Sequence, residues 1–588
     1  MRLRRLVCVL TLLLGISIAG SGRPVHADDL KLRIISFNDF HGNLRFPGKS
    51  RVSAASPLVD VGGADYFAGY VQQMKRESPY NVVVAAGDLI GASPLVSGLF
   101  HDEDTIEIMN RVGLEFTSVG NHEFDHGRRE LLRMQSGGCS ADKKTTCLGA
   151  VTGTRVPFEG AKFKYLAANV IDTATGKPVF PAYAVKSYRG VKVAFIGVVL
   201  KETPTMVSGK GVAGLRFSEE SETINTIARQ LRKKGIKIIV VLIHQGGRQT
   251  TSGAPDINAC EGGLAGTAIE PIVGKLDDSV SLVISGHTHQ AYICQLPNSA
   301  GRKIYVTSAA LYGRLLTQID LTIDRKTKSV TGVTARNVLV ERTTSAGVTP
   351  DPAIQKIVDQ YAVLAAPIAD RVVGTITGPF TKTLTAAGEN ALGDLIADAQ
   401  LAATSGPDSG GAVAALMNEG GIRTEIPLDS GAKGVPEGQV TYGELFTVQP
   451  FANTLVTMSL TGAQIKTLLE TQFTGCLLGL APGELPNPTP DRVLHPSEGF
   501  TYTWNPKGPN CEKVDAASIK INGVRVEPAA SYRITVNNFL ADGGEQLYTL
   551  KQGTDRVSGP VDLDALVSYF AKHPSLAPAE PHRIRVAP

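Results

Sequence analysis

Five short apolar segments in the first half of the chain are each followed directly by polar residues of one kind. The segments are Leu32–Phe37, Val82–Ala86, Phe116–Val119, Ile236–Ile243 and Val280–Ile284. Stretches with helical periodicity lie between apolar segments, and strand–helix alternation of this kind predicts a layered α/β domain. Because ligand sites in α/β sheets form beyond the carboxyl ends of the strands, the polar residues are expected to meet at one edge.

The polar residues that follow these strands have side chains that bind metal ions. The candidate ligands are Asp39, His41, Asp88, Asn121, His244, His287 and His289. A single histidine is more often a hydrogen-bonded structural residue than a ligand, but several such clusters at one sheet edge favour a metal site. Oxygen and nitrogen donors without thiolates suit Mn, Fe, Zn or a similar divalent ion.

The chain has 588 residues, which exceeds what a single hydrophobic core supports, so two or more domains are expected. We predict an α/β domain over residues 28–345, a linker with a helix over 346–370, and a second, smaller α/β domain over 371–588. Pro352 in the first turn and the apolar spacing that follows predict the connector helix from Asp351 to Asp370. A hinge is expected around Ala366–Thr375.

Residues 1–27 have the order of a secretory signal peptide: arginines, an apolar run over Leu6–Ala19, and a small-residue end at Ala27. The alternative is a membrane anchor, but the run is short for a span, which needs about 20 residues. The four arginines of this segment equal the formal net charge of +4. A neutral remainder argues against binding of a nucleic acid polymer through a broad basic face. We expect an exported protein without a membrane span after signal removal, in a periplasm, a cell wall or the medium.

Six cysteines remain after the signal peptide, and export makes disulfide bonds plausible. Six cysteines allow fifteen pairings, but these fall into three local pairs. We predict the bonds Cys139–Cys147, Cys260–Cys294 and Cys476–Cys511.

The motifs NDFHG, GD, GNHEFD and GHTH, in that order over residues 30 to about 340, resemble the calcineurin-like metallophosphoesterases. The resemblance implies a four-layer α/β/β/α sandwich with two divalent metal ions (Mn, Zn, Co or Mg). Asp39, His41 and His289 would hold one ion. Asn121, His244 and His287 would hold the other, and Asp88 would bridge both.

His122 follows a predicted ligand in GNHE and is expected to point into the site. The resemblance implies that it stabilises the transition state or assists the leaving oxygen. Asp125 would orient its imidazole, would cap the next helix, or would do both. Of the other histidines, His495, His573 and His582 are expected at the surface.

The remainder of the chain resembles the C-terminal domain of exported 5′-nucleotidases and UDP-sugar hydrolases, through GENALGDL, NEGGIR, QPFANT and NFLADGGE. The resemblance implies that Phe451 and Phe539 sandwich a nucleotide base. Further candidate substrate contacts are Asn418, Arg423, Asn453 and Glu545. The family has Asp where this chain has Glu545.

These features predict a metal-dependent hydrolase that converts nucleoside 5′-monophosphates to nucleoside and phosphate, with possible activity on di- or triphosphates or UDP-sugars. A relative with the same machinery that cleaves 2′,3′-cyclic nucleotides or a thiosulfo-ester is the first alternative. An inert exported nucleotide-binding protein is the second, although a full ligand set with His122 argues against it.

Overall fold

The structure is a computed structural model that describes residues 29–141, 144–148, 157–207, 209–250, 254–343, 347–429, 434–476, 478 and 492–587. The predicted signal peptide lies outside the described residues. No helix in the described ranges combines the length and the apolar character needed to cross a bilayer.

Two six-stranded sheets form the N-terminal domain. The first has the strand order Ser329–Leu339, Leu315–Asp324, Asp29–Phe37, Asn81–Ala86, Phe116–Ser118, Lys164–Leu166. The second has the order Ala291–Pro297, Lys303–Ala309, Val280–Ser285, Ile238–His244, Val191–Val199, Tyr183–Tyr188. Two short strand pairs accompany them, Lys49–Ser50 with Val59–Asp60 and Val170–Asp172 with Leu215–Phe217.

The sheets pack face to face, and helices cover their outer faces. Alternate side chains of both sheets, such as Ile34, Val84, Phe195 and Val240, form one buried cluster between them. The first sheet is covered by Ala64–Arg76, Leu95–Gly98, Glu103–Val112 and Gly127–Ser136, and the second by Glu220–Lys233 and Ile269–Gly274. This is the predicted four-layer α/β/β/α sandwich, and its central strands are parallel. The carboxyl ends of the ligand-bearing strands therefore lie along one edge.

The connector helix spans Pro352–Ala369, close to the predicted range. The Asp351 side chain accepts hydrogen bonds from the backbone N–H groups of Ala353 and Ile354, which caps its first turn. The helix packs against the N-terminal domain, where the rings of Phe100 and Tyr361 lie 5.0 Å apart.

The C-terminal domain is a smaller α/β unit with two buried clusters of its own. Its main sheet has the order His495–Pro496, Ala414–Met417, Ser531–Asn537, Thr454–Thr461, Thr554–Val561. A second sheet has the order Val524–Arg525, Lys520–Ile521, Phe500–Trp504, Ile584–Val586, and Val372–Thr375 pairs with Gln439–Thr441. The helices are Ala391–Thr404, Tyr442–Val448, Gly462–Thr471, Asn538–Ala541 and Asp562–Lys572.

Three disulfide bonds join Cys139 to Cys147, Cys260 to Cys294, and Cys476 to Cys511. These are the pairs predicted from the sequence. Each bond lies within one domain, so none restricts movement of one domain against the other.

Candidate functional site: a metal cleft faced by the second domain

The first predicted ligand group meets in one place although its residues are far apart in the sequence. The Nε2 atoms of His41 and His289 lie 3.2 Å apart. Asp39 Oδ1 lies 3.4 Å from His289 Nε2 and 3.9 Å from His41 Nε2. Three donor atoms this close to one another fit a single cation.

The second group lies beside the first. Asn121 Oδ1 is 3.1 Å from His244 Nε2 and also 3.1 Å from His287 Nδ1. Asp88 Oδ2 lies 2.9 Å from His244 Nε2 and 3.6 Å from His41 Nε2, so it reaches a residue of each group. Its position between the groups suits a bridging carboxylate.

Backbone carbonyls fix which ring nitrogen faces the cluster. His41 Nδ1 lies 2.9 Å from the carbonyl oxygen of Gly91, and His244 Nδ1 lies 2.7 Å from that of Ala86. Because a carbonyl only accepts, each Nδ1 carries the proton and donates it. The Nε2 atoms of both rings are thereby directed to the cluster, as in metal-ligating histidines.

Burial and local charge set the protonation of the ligands. Burial holds the pKa of His41 and of His287 well below the usual imidazole range, so both are neutral, as a ligand must be. Burial also lowers the pKa of His244, but the Asp88 and Asp39 carboxylates and the Ala86 carbonyl together outweigh it and raise that pKa to about 9. For Asp88, burial favours the neutral form, yet His244 and the other imidazoles hold its pKa well below the usual range. A divalent cation would bind these two residues in place of the proton that they share.

The loops that carry the ligands have unusual backbone conformations. Positive φ angles occur at Asp39, His41, Asp88, His287 and His289. Non-glycine residues adopt this region rarely, and such strain persists only where the surroundings enforce it.

Glu123, for which the sequence analysis predicted no role, helps to hold the ligand loops in these backbone conformations. Its carboxylate accepts hydrogen bonds from the backbone N–H groups of Asp88 at 2.9 Å, Leu89 at 2.8 Å and Gly120 at 2.5 Å. Two ligand loops are thus tied to one buried side chain. Gly120 is required there, because a Cβ atom would collide with the Asp88 carboxylate.

Two further residues near the ligands were missed by the sequence reasoning. Asn38 Nδ2 donates to Asp39 Oδ2 at 2.6 Å and so orients that carboxylate. The Tyr312 ring lies 5.9 Å from the His41 ring and 6.0 Å from the His289 ring, and forms one wall of the cleft. Asn38 stands inside the NDFHG motif and could have been found there, whereas Tyr312 lies in no such motif.

His122 lies at the open side of the cluster. Its Nδ1 is 2.9 Å from Asp125 Oδ2, and its backbone N–H donates to Asp88 Oδ1 at 2.9 Å. Asp125 therefore orients the imidazole. The alternative role of Asp125 does not hold, because the next helix has His126 at its N-cap and no side-chain cap.

Two residues of the C-terminal domain face the same cleft. The Phe451 ring stacks on the His122 ring with centroids 5.6 Å apart and an interplanar angle of 18°. The Arg423 guanidinium lies 5.7 Å from the centroid of Phe451. Nε and Nη2 of Arg423 are buried without a hydrogen-bond partner among the described residues. Buried donors of this kind fit an anionic ligand.

The other predicted substrate residues lie in the C-terminal domain with different surroundings. Asn418 Nδ2 donates to Glu545 Oε1 at 2.6 Å. Phe539 lies on the short helix Asn538–Ala541 and packs partly against the domain core. The Asn453 side chain hydrogen bonds to Asp562 at the start of a helix, so the structure gives Asn453 a structural partner.

The prediction for His495 was wrong. It was expected at the surface, yet its side chain is 0% exposed. Its position in a short edge strand with Pro496 gave no periodicity from which burial could be inferred.

Comparison with known families agrees with this architecture. Residues 32–291 match the calcineurin-like phosphoesterase family. Residues 372–552 match the family described as 5′-nucleotidase, C-terminal domain.

The chain therefore joins a calcineurin-like phosphoesterase domain to a 5′-nucleotidase C-terminal domain. Its homologues and structural neighbours include 5′-nucleotidases, which are metal-dependent phosphoesterases.

Individual relatives differ in the activities that their names describe. Endonuclease YhcR of Bacillus subtilis is 32% identical over 551 residues, which cover 92% of this chain and 40% of that protein. Cell wall protein Lmo0130 of Listeria monocytogenes is 29% identical, over 96% of this chain and 70% of that protein. The chain thus spans less than half the length of the Bacillus relative.

A solved structure has the same fold. The 5′-nucleotidase precursor from Thermus thermophilus aligns over 95% of this chain and 99% of that one, with a TM-score of 0.72 and 23% identity.

Proposed function

We propose that this protein is an exported dinuclear metal hydrolase that converts nucleoside 5′-monophosphates to nucleoside and phosphate. The observation that carries the proposal is the meeting of two domains at one cleft. The N-terminal domain supplies a buried metal-ligand cluster, and the C-terminal domain supplies Phe451 and Arg423 beside it.

The donor set fits two divalent cations. Asp39, His41 and His289 would hold one, Asn121, His244 and His287 the other, with Asp88 shared. Two cations in such a site stabilise the attacking and leaving oxygens of an in-line displacement and lower the pKa of bound water.

His122 would act on the leaving oxygen. Its Nδ1 proton is held by Asp125, so its Nε2 faces the cleft. In its doubly protonated form, with Nδ1–H held by Asp125, the ring would donate its Nε2 proton to the departing ribose 5′-oxygen as the P–O bond breaks and be left neutral, which is general acid catalysis.

Arg423 and Phe451 would hold the substrate. Nε–H and Nη2–H of Arg423, which have no hydrogen-bond partner among the described residues, form a planar pair of donors for phosphate oxygens. The Phe451 ring offers a surface for the base, and because every base has a π face, such stacking tolerates different bases. Asn418 and Glu545, joined by a hydrogen bond, would contact the sugar or base.

Domain movement and export complete the proposal. We place the domain limits at 28–345, 346–370 and 371–588, and the hinge around Ala366–Thr375, where the connector helix ends and the strand Val372–Thr375 begins. Three disulfide bonds support a location outside the cytoplasm.

A substrate panel tests the proposal. Purified protein is assayed with Mn, Zn, Co and Mg on AMP, ATP, UDP-glucose, a 2′,3′-cyclic nucleotide, a thiosulfo-ester and single-stranded DNA. The highest kcat/KM is expected for a nucleoside 5′-monophosphate. A higher value for any other compound would replace the substrate proposed here, and no hydrolysis of any of them would favour a binding protein.

A further inference from the structure

The C-terminal domain contains a buried histidine that lies outside the cleft. His495 is 0% exposed, and its ring lies against Gly393, where a Cβ atom would collide with it. The backbone N–H of Asn390 donates to His495 Nδ1 at 3.4 Å, so Nδ1 accepts. His495 Nε2 therefore donates to Glu419 Oε2, at 3.0 Å.

Glu419 is the centre of a small polar cluster. Besides His495, it accepts from Asn390 Nδ2 at 2.9 Å and pairs with Lys382 Nζ at 3.0 Å. Lys382 also donates to the carbonyl oxygen of Ile422. Both carboxylate oxygens of Glu419 are thus engaged by the protein itself.

The cluster holds the loop that carries two proposed substrate residues. Glu419 is the first residue of the 3-10 turn Glu419–Gly421. Asn418 directly precedes this turn, and Arg423 follows it after Ile422. The Lys382 side chain connects the two ends of this turn, because its Nζ contacts both Glu419 and the carbonyl oxygen of Ile422. Nε and Nη2 of Arg423 have no partner in the described part of the chain, and they bind an anion more tightly when the backbone holds them in place.

We infer that Lys382, Asn390 and His495 act through Glu419 as positioning residues for Asn418 and Arg423. The inference rests on the proposed function, since it assigns the cluster to nucleotide binding. Loosening the cluster should weaken recognition of the nucleotide and leave the metal chemistry of the other domain intact.

The test compares two substrates in the full-length protein. His495→Ala and Lys382→Met are assayed on AMP and on p-nitrophenyl phosphate, a small phosphomonoester without base or ribose. We expect KM for AMP to rise about tenfold, the effect of losing one hydrogen bond to a charged group. Both kinetic constants for p-nitrophenyl phosphate should stay within about twofold.

Conservative and control variants separate positioning from folding. His495→Gln can accept from Asn390 and donate to Glu419, and should restore most of the affinity for AMP. His582→Ala, at an exposed histidine of the same domain, should change nothing. Lys382 is partly exposed, so Lys382→Met keeps the test valid if His495→Ala does not fold.

Hydrogen exchange gives a readout that needs no activity. Backbone amides of residues 419–423 should exchange faster in His495→Ala and Lys382→Met than in the wild type. Unchanged KM for AMP in both folded variants, or equal losses on both substrates, would overturn the inference. A wild-type protein that cleaves p-nitrophenyl phosphate but no nucleotide would instead overturn the proposed function.

Discussion

The two halves of the cleft are built differently. In the N-terminal domain, Asp39, His41, Asp88 and His244 are at most 1% exposed, and each has a donor atom within 4 Å of a donor atom of another of the four. In the C-terminal domain, Phe451 is partly exposed and stands on a loop. A dinuclear site tolerates little displacement because coordination distances are narrow, whereas stacking tolerates variation. Under the proposed function, the first half would therefore set the reaction, and the second would set the substrate.

The largest effect is expected at the carboxylate shared by the two ligand groups. Asp88→Ala should lower kcat for every phosphoester by about a thousandfold or more, because it removes the proposed shared metal ligand and the carboxylate that pairs with His244. Kinetics measures turnover, and elemental analysis measures bound metal in the same sample. The exposed Asp60→Ala is the matched control. A variant with full metal and full turnover would remove Asp88 from the site.

A variant of His122 should separate catalysis from metal binding in the N-terminal domain. His122→Ala should lower kcat for AMP by about 10²–10⁴-fold while bound metal is unchanged. Since p-nitrophenolate leaves without protonation, the loss on p-nitrophenyl phosphate should be much smaller. Asp125→Asn should give a weaker loss of the same pattern. Loss of metal in His122→Ala would make it a ligand instead, and equal losses on both substrates would exclude the proton-donor role.

Substitution of Phe451 tests the proposed role of the C-terminal domain in binding the base. Phe451→Ala should raise KM for AMP about tenfold, given that a stacked base contributes about 1–3 kcal/mol. Phe451→Tyr keeps the stacking surface and should behave like the wild type. KM and kcat for p-nitrophenyl phosphate should hardly change. If kcat for both substrates falls together, Phe451 acts through the His122 ring on which it stacks, and not on the base.

The smallest effect concerns stability away from the cleft. Glu220 is 2% exposed and accepts a hydrogen bond from the Lys201 backbone. Burial, with repulsion from Glu202, raises its pKa to about 7. Because this exceeds the unfolded value of about 4.3, its proton stabilises the fold at low pH. That contribution is fully present below the unfolded pKa and is lost as pH rises through 7.

Replacing Glu220 should make the free energy of unfolding less dependent on pH. Glu220→Gln is expected to reduce the difference in unfolding free energy between pH 5 and pH 8, by an amount on the order of 1–3 kcal/mol. Urea unfolding followed by circular dichroism measures it. Glu222→Gln, at an exposed position of the same helix, should leave the difference unchanged. A Glu220→Gln stability that varies with pH as in the wild type would contradict the assignment.

The sequence predicted most of the N-terminal domain because periodic apolar strands end directly in polar motifs. Each of the five predicted apolar segments ends within one residue of the end of a strand, and all seven predicted ligands lie in one cluster. Supporting residues were harder to predict. Glu123 acts through backbone N–H groups of other loops, and a single sequence does not display such contacts.

The C-terminal domain was less predictable for a related reason. His495, Glu419 and Lys382 lie in separate segments without a shared period, and they meet only through tertiary packing. The same is true of Asn453, whose partner Asp562 is more than a hundred residues away. Sequence motifs located the loops that carry the proposed substrate residues, but not the contacts that hold these loops.

The most direct test of the account is a metal titration of stripped protein. The account predicts that chelated protein hydrolyses no AMP and that activity returns with added Mn, Zn or Co, reaching its maximum at two bound ions per chain. Full turnover by a preparation shown by elemental analysis to be free of metal would contradict it.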